Sequence, residues 1–270
     1  MGKNLNITKE FLLQEFFENR KTQKQIALEL GCHVGTIEAA MSKYQLTNQI
    51  HSRYRVREDL MVSTNPYFMY AVGMFITDGS IAKDGRLSIR INDKEPVKVL
   101  SDYFDCPYYH CRRDARPQYE FNIPYNTPLT EYCRALTNDV SKKTFDVKCP
   151  TDIVDLNLRL LLLRGIIDGD GSIRPDSSAI RIFTASKNMV DTLEMLLSSL
   201  NIKYTTQNTK YGLHKKLGWV IHIGILETLP ALIRVYEDYP ELAVQRKRNI
   251  IKQRVYDIVR TYEMINREKW

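Results

Sequence analysis

The sequence has no long apolar run. The longest, around LLLLRGIID, is far too short to span a bilayer and is interrupted by Arg164. The amino terminus, MGKNLNITKE, lacks an apolar signal segment, and Asn6 stands where a myristoylation motif has Ser or Thr. These absences lead to the expectation of a soluble, cytoplasmic protein. The five cysteines, Cys32, Cys106, Cys111, Cys133 and Cys149, form no Cys-x-x-Cys pair and have no His at zinc spacing. Reduced intracellular thiols are therefore expected, not a disulfide framework or a zinc site. No Ser/His/Asp arrangement offers a covalent nucleophile.

What is present is basic charge on a chain long enough for one large domain or two ordinary ones. The 270 residues carry a formal charge of +7, with 16 Tyr scattered among the basic side chains, and the pI is near 9.0. That balance favours a polyanionic partner.

One short stretch occurs twice. Residues 71–79 read AVGMFITDG and residues 163–171 read LRGIIDGDG, 92 positions apart, and each continues Ser-Ile. Each ends an apolar segment with the length and pattern of a buried helix. Gly73 and Thr77 fall four apart on one helix face, as do Gly165 and Gly169. Small residues at that spacing let two backbones approach closely, so each helix is predicted to pack on the other copy. Side-by-side packing brings Asp78 and Asp170 together, where two carboxylates repel unless a cation lies between them. A hard divalent ion suits such a pair.

The two stretches resemble the paired motifs of LAGLIDADG homing endonucleases of the single-chain type. The first copy departs from the family pattern at Ile76 and Thr77, where the motif has Asp and Ala. The resemblance implies an α+β fold of two pseudo-symmetric αββαββα half-domains forming a DNA-binding saddle. It implies a metal site of Asp78 and Asp170 together with Gly79 and Gly171, holding Mg²⁺ or another divalent cation such as Mn²⁺. It further implies a monomer acting on double-stranded DNA with a long target site, cutting across the minor groove to leave short 3′ overhangs. Chain ends without a terminal His-Asn argue against an intein, another carrier of such domains. Some relatives of this fold are non-cleaving transcriptional regulators beside a helix-turn-helix, or intron maturases. The acid pair separates the readings, because a protein that only binds has no need of two carboxylates beside a phosphodiester.

An amino-terminal module is expected over residues 1–46. TKEFLLQEFFENR reads as a first helix with Thr8 as N-cap, and residues 23–42 have a helix-turn-helix pattern with Gly31 at the sharp turn. His33, Thr36, Glu38 and Lys43 on the second helix are candidates to face DNA; a structural three-helix bundle is the alternative. Residues 47–65 are read as a linker. In it Arg53, Arg55 and Arg57 alternate with apolar residues, as a groove-binding arm or as a strand or solvated edge.

The half-domains are placed at 66–150 and 151–270. In each, the order after the motif helix is two strands, a helix, two strands and a helix. Period-two alternation places Ser88, Arg90 and Asn92 on an outward sheet face with Arg112, Gln118, Glu120 and Asn122. The second sheet is expected to present Arg181 and Phe183 with Thr206, Asn208 and His222. These side chains suit base edges in the major groove, though a solvated sheet face has a similar composition. The basic loop KYGLHKKLG, with Lys215 and Lys216, is read as a phosphate contact. The resemblance also implies a lysine beside each metal site. Lys148, two residues before Pro150, is the expectation for the first half, and Lys247, with Arg246 as second choice, for the second. The last segment, from Leu242, has eight Lys or Arg against three acids and is read as a basic helix lying on phosphates or packed on the second half.

Overall fold

A computed structural model describes residues 7–19, 21–46, 56–113, 116–173, 179–211, 216–224 and 233–267. The chain divides into two compact units, Met1–Val56 and Arg57–Trp270.

The smaller unit is all-helical. Helix α1, Lys9–Leu12, starts at Thr8, whose hydroxyl accepts from the Phe11 N–H, and runs on into a π-helical stretch, Leu13–Glu18. Helix α2, Gln23–Leu30, opens with a capping box between Thr22 and Gln25 and stops at Gly31, whose φ of 63° is the left-handed turn expected of it. Helix α3 is Val34–Lys43. Leu12, Phe16, Ile26, Ala27, Ile37, Met41 and Leu46 form the core.

The boundary of the larger unit differs from the sequence expectation. Residues 47–55 lie outside the described residues, but 57–65 are not linker. The Arg57 N–H donates to the Phe104 carbonyl at 2.9 Å, Met61 is buried, and the Asn65 side chain caps the next helix. Apolar burial and capping recruit this polar-looking stretch to the larger unit.

That unit holds two related halves. In the first, helix α4 (Pro66–Asp78) leads into strands β1 (Gly79–Ile81) and β2 (Leu87–Ile91), helix α5 (Lys94–Phe104), strands β3 (Tyr108–Arg113) and β4 (Arg116–Ile123), and helices α6 (Pro128–Arg134) and α7 (Lys143–Asp146). In the second, helix α8 (Leu156–Asp170) leads into β5 (Ala179–Thr184), α9 (Lys187–Ser199), β6 (Tyr204–Tyr211), β7 (Lys216–Gly224) and the long helix α10 (Gln245–Arg267). Both sheets are antiparallel, ordered β1-β2-β4-β3 and β5-β7-β6. Where β1 pairs with β2, the second half has, among the described residues, a single bridge, Ser172 to Arg181. Leu87, Ile89, Phe121 and Ile123 are buried with Val97, Leu100 and Phe104 of α5, and Ile180, Ile182, Ile221 and Ile223 with Val190, Leu193 and Leu197 of α9. The 66–150 and 151–270 halves belong to one compact unit because α4 and α8 pack together through its middle. Among the described residues no helix is long and apolar enough to cross a membrane.

Candidate functional site

The site is set by how closely the two central helices approach. A Cβ on Gly73 would overlap the Leu162 carbonyl oxygen and lie 2.9 Å from the Gly165 Cα, and one on Gly165 would overlap the Tyr70 carbonyl oxygen. Only glycine fits where backbone faces backbone. One turn further on, a Cβ on Gly169 would overlap the Thr77 hydroxyl and lie 2.9 Å from the Asp78 Oδ2. The acid ending α4 is therefore packed against the residue that precedes Asp170. Gly79 and Gly171 follow as C-caps, their N–H groups donating to the Phe75 and Ile167 carbonyls.

Each helix end receives a lysine. The Lys143 Nζ donates to the carbonyls of Phe75 (2.8 Å), Ile76 (2.9 Å) and Thr77 (3.0 Å). The Lys247 Nζ donates to those of Ile167 (2.8 Å), Asp168 (2.7 Å) and Gly169 (3.0 Å). These are the same three motif positions in both copies. The first carbonyl of each set also accepts the C-cap N–H, the other two lie past the last intrahelical donor, and all three carry the negative end of the helix dipole, so an ammonium group there is stabilised by both hydrogen bonding and charge. Lys148, the sequence choice for the first half, has an exposed side chain, and its N–H bonds the Leu136 carbonyl. The structure brings Lys143, not Lys148, onto the α4 end. Arg246, the second choice in the other half, pairs with Asp93 at 3.0 Å.

The carboxylates are strained electrostatically. Burial at the crossing, then the adjacent Asp170, push Asp78 up to about 6 against the pull of Lys143 and Lys247. Burial also raises Asp170, again opposed by Lys143 and Lys247, although its outer edge is exposed. Burial lowers both lysines to about 8, with the aspartates restoring part of the loss. Among the described residues neither Asp78 nor Asp170 accepts a hydrogen bond or closes an ion pair, and no group of three or more His, Cys, Asp and Glu is gathered elsewhere for a metal. Two repelling hard-oxygen donors without partners fit a divalent cation that completes its shell with water and phosphate oxygens.

A pH and metal dependence of stability follows. Raised acids penalise the folded state once ionised, so metal-free stability falls as pH rises from the ordinary carboxylate range through about 6. Millimolar Mg²⁺ is expected to raise Tm by about 2–4 °C at pH 7.5, corresponding to about 1 kcal/mol, and by much less at pH 5. Asp170→Asn should raise the metal-free Tm and abolish most of the Mg²⁺ effect. Thermal melts at the two pH values check this; an equal Mg²⁺ shift in the variant contradicts it.

The sheets present a mixed outward face. On the first, Arg90 and Glu120 pair across strands at 2.7 Å, Ser88 bonds Ser80 at 3.0 Å, Gln118 is half-buried and Asn92 exposed. Asn122 does not serve as expected: it is 6% exposed, so a base edge has no access to it. Arg112 pairs with Pro117, in the register set of Tyr119 and Phe121 and not that of Glu120.

On the second sheet Arg181 and His222 are register partners on the outward face, with exposed Phe183. Thr206 and Asn208 are corrected by the register. Thr206 pairs with Ile221, and Asn208 with Trp219, in the helix-facing set, and the Thr206 hydroxyl donates to the Glu194 carboxylate of α9 at 2.6 Å. Thr205 and Gln207, both exposed, occupy the outward positions instead. Lys216 begins β7; Lys215, Arg53 and Arg55 lie outside the described residues. Arg57 pairs with Asp59 at 2.8 Å.

In the smaller unit Thr36, Glu38 and Lys43 are exposed along α3. His33 is exposed too, but its Nδ1 caps α3 by accepting from the Gly35 N–H at 3.2 Å.

The second copy of the motif falls within a stretch that matches a known family. Residues 157–238 match the family model described as a LAGLIDADG-like domain. The DNA-directed RNA polymerase subunit Rpo1C of Methanocaldococcus jannaschii is 25% identical over 150 residues, which are 53% of this chain and 17% of that protein, so the chain spans only a small part of that relative. The homing endonuclease I-DmoI in complex with DNA and Ca aligns at 12% identity with a TM-score of 0.45, covering 64% of this chain and 91% of that one. Full-length DUF199/WhiA from Thermatoga maritima aligns at 15% identity with a TM-score of 0.45, covering 76% of this chain and 66% of that one.

Proposed function

We propose that the chain is a site-specific DNA endonuclease, dependent on divalent metal, that hydrolyses one phosphodiester in each strand. The observation that carries this reading is the paired site: two carboxylates with no hydrogen-bond or ion-pair partner among the described residues, at abutting helix ends that are each capped by a lysine. Asp78 and Asp170 would hold the ions, which when bound supply Lewis-acid activation of water and stabilisation of the leaving oxygen. Lys143 and Lys247 place positive charge beside the phosphates, where charge grows in the transition state. Exposed Arg90, Arg181 and Gln207 and half-buried His222 on the sheet faces are the side chains proposed to meet the duplex grooves, with Thr36, Glu38 and Lys43 of α3 as a separate contact. The pseudo-symmetry puts both half-sites in one chain, which fits a monomer on an extended target.

The alternative keeps the fold and drops the chemistry, as a DNA-binding regulator or an RNA-binding maturase. Incubating the protein with a pooled duplex library in Mg²⁺, and again with EDTA, separates them. Discrete double-strand breaks only with Mg²⁺ support the nuclease. Retention of DNA without a break in Mg²⁺ or Mn²⁺ moves the assignment to the regulator, and retention of RNA in place of DNA moves it to the maturase.

A further inference from the structure

A buried polar circuit at the end of α8 has no part in the chemistry above. Asp168 and Arg164 lie one turn apart and are 2% and 1% exposed. The Asp168 carboxylate accepts from the Tyr70 hydroxyl of α4 (3.0 Å), the Tyr236 hydroxyl (2.9 Å) and the Val244 N–H (2.9 Å). Arg164 donates to the carbonyls of Asp238 (2.5 Å), Tyr239 (2.7 Å) and Leu242 (3.1 Å), with its guanidinium 5.4 Å from the Tyr236 ring centre. Both side chains thus hold the segment that feeds directly into α10.

The connections close into a ring. Asp168 fixes the Val244 N–H; the Val244 carbonyl accepts from the Lys247 N–H at 3.0 Å; the Lys247 amine returns to the Asp168 carbonyl at 2.7 Å. Any displacement of Val244 leaves a buried carboxylate short of a donor, so the ring resists movement of the residue that launches Lys247. The first half has no counterpart. Its matching positions are Val72 and Ile76, both buried and apolar. There Lys143 is carried by the four-residue α7, whose Asp146 bonds the Asn138 N–H (2.6 Å) and the Thr137 hydroxyl (3.2 Å).

We propose that Asp168 is the positioning residue for Lys247, fixing its amine at one of the two cutting sites while the Lys143 site stands independent of it. The assignment rests on the nuclease reading. Loss of Asp168 uncouples two cuts that otherwise proceed together.

The test compares wild type with Asp168→Asn, and with Tyr236→Phe as a milder variant should the first fail to fold. Each is followed by hydrogen exchange and by cleavage of a supercoiled plasmid carrying a target taken from the library. Exchange should speed up about tenfold or more within residues 242–250 only. Nicked circles should accumulate, one cut slowed about 100-fold, with the other cut and DNA retention within about twofold of wild type. A merely structural role slows both cuts alike and speeds exchange throughout; that result, or unchanged exchange at 242–250, overturns the assignment. If wild type cuts no DNA, the nuclease reading fails and exchange alone decides: loss confined to 242–250 supports the positioning role, and unchanged or global exchange overturns it.

Discussion

Replacing Gly165 by alanine is expected to destabilise the larger unit by about 3 kcal/mol, and by valine enough to prevent folding. The new Cβ would meet the Tyr70 carbonyl oxygen, the Gly73 Cα and the Met74 nitrogen, all backbone atoms of α4 with no rotamer to yield. Gly73→Ala should behave alike, since it meets the Leu162 carbonyl, the Gly165 Cα and the Ile166 nitrogen. If the helices separate to admit a methyl group, the buried side chains flanking the crossing lose contacts along its length and the two acids move apart. Urea unfolding of each variant measures the effect. A Gly165→Ala protein within about 0.5 kcal/mol of wild type would show that the close crossing is not what holds the halves together.

The second large effect separates two neighbouring lysines. Lys143→Met should slow cleavage about 100-fold or more, as removal of a preorganised positive group beside a reacting oxygen does, and Lys247→Met likewise. Lys148→Met should remain within about twofold of wild type, because its side chain is exposed and its N–H, not its amine, is what bonds the fold at Leu136 among the described residues. Single-turnover cleavage at saturating Mg²⁺ is the measurement. A severe loss in Lys148→Met with Lys143→Met near wild type would restore the sequence assignment and make Lys143 a helix cap alone.

Much of the fold was legible because its signals are local. The doubled AVGMFITDG and LRGIIDGDG stretches and the period-two alternation through Ser88, Arg90 and Asn92 each declare one element, and repetition declares the two halves. The helix order of the small unit was readable from Thr8, Gly31 and the helix-turn-helix pattern of residues 23–42 for the same reason. What stayed hidden depends on contacts distant in sequence. Lys143 looks like either of two adjacent surface lysines in SKKTFD, and nothing nearby marks it as the partner of carbonyls on α4. Arg164 read as an interruption of an apolar run, yet three main-chain carbonyls beyond residue 237 receive it. In β6 the run Thr205, Thr206, Gln207, Asn208, Thr209 is polar on both faces, so no alternation fixes which set points outward. Its register was read one residue out. Asn122 was assigned the correct side of its strand, but burial beside Ser88 and Pro107 removes it from reach.

The central claim is that the Asp78 and Asp170 pair is a hydrolytic metal site and not a relic at a helix crossing. The most direct measurement maps DNA ends after wild type and Asp170→Asn are each incubated with the same host-genome library in Mg²⁺. Wild type should produce breaks at recurrent positions, and the variant none, while retaining the same fragments with equal or higher affinity because a negative charge has left the phosphodiester's side. Recurrent breaks of equal yield from the variant would place the chemistry elsewhere. An absence of breaks from wild type, with both proteins retaining the library, would contradict the account outright.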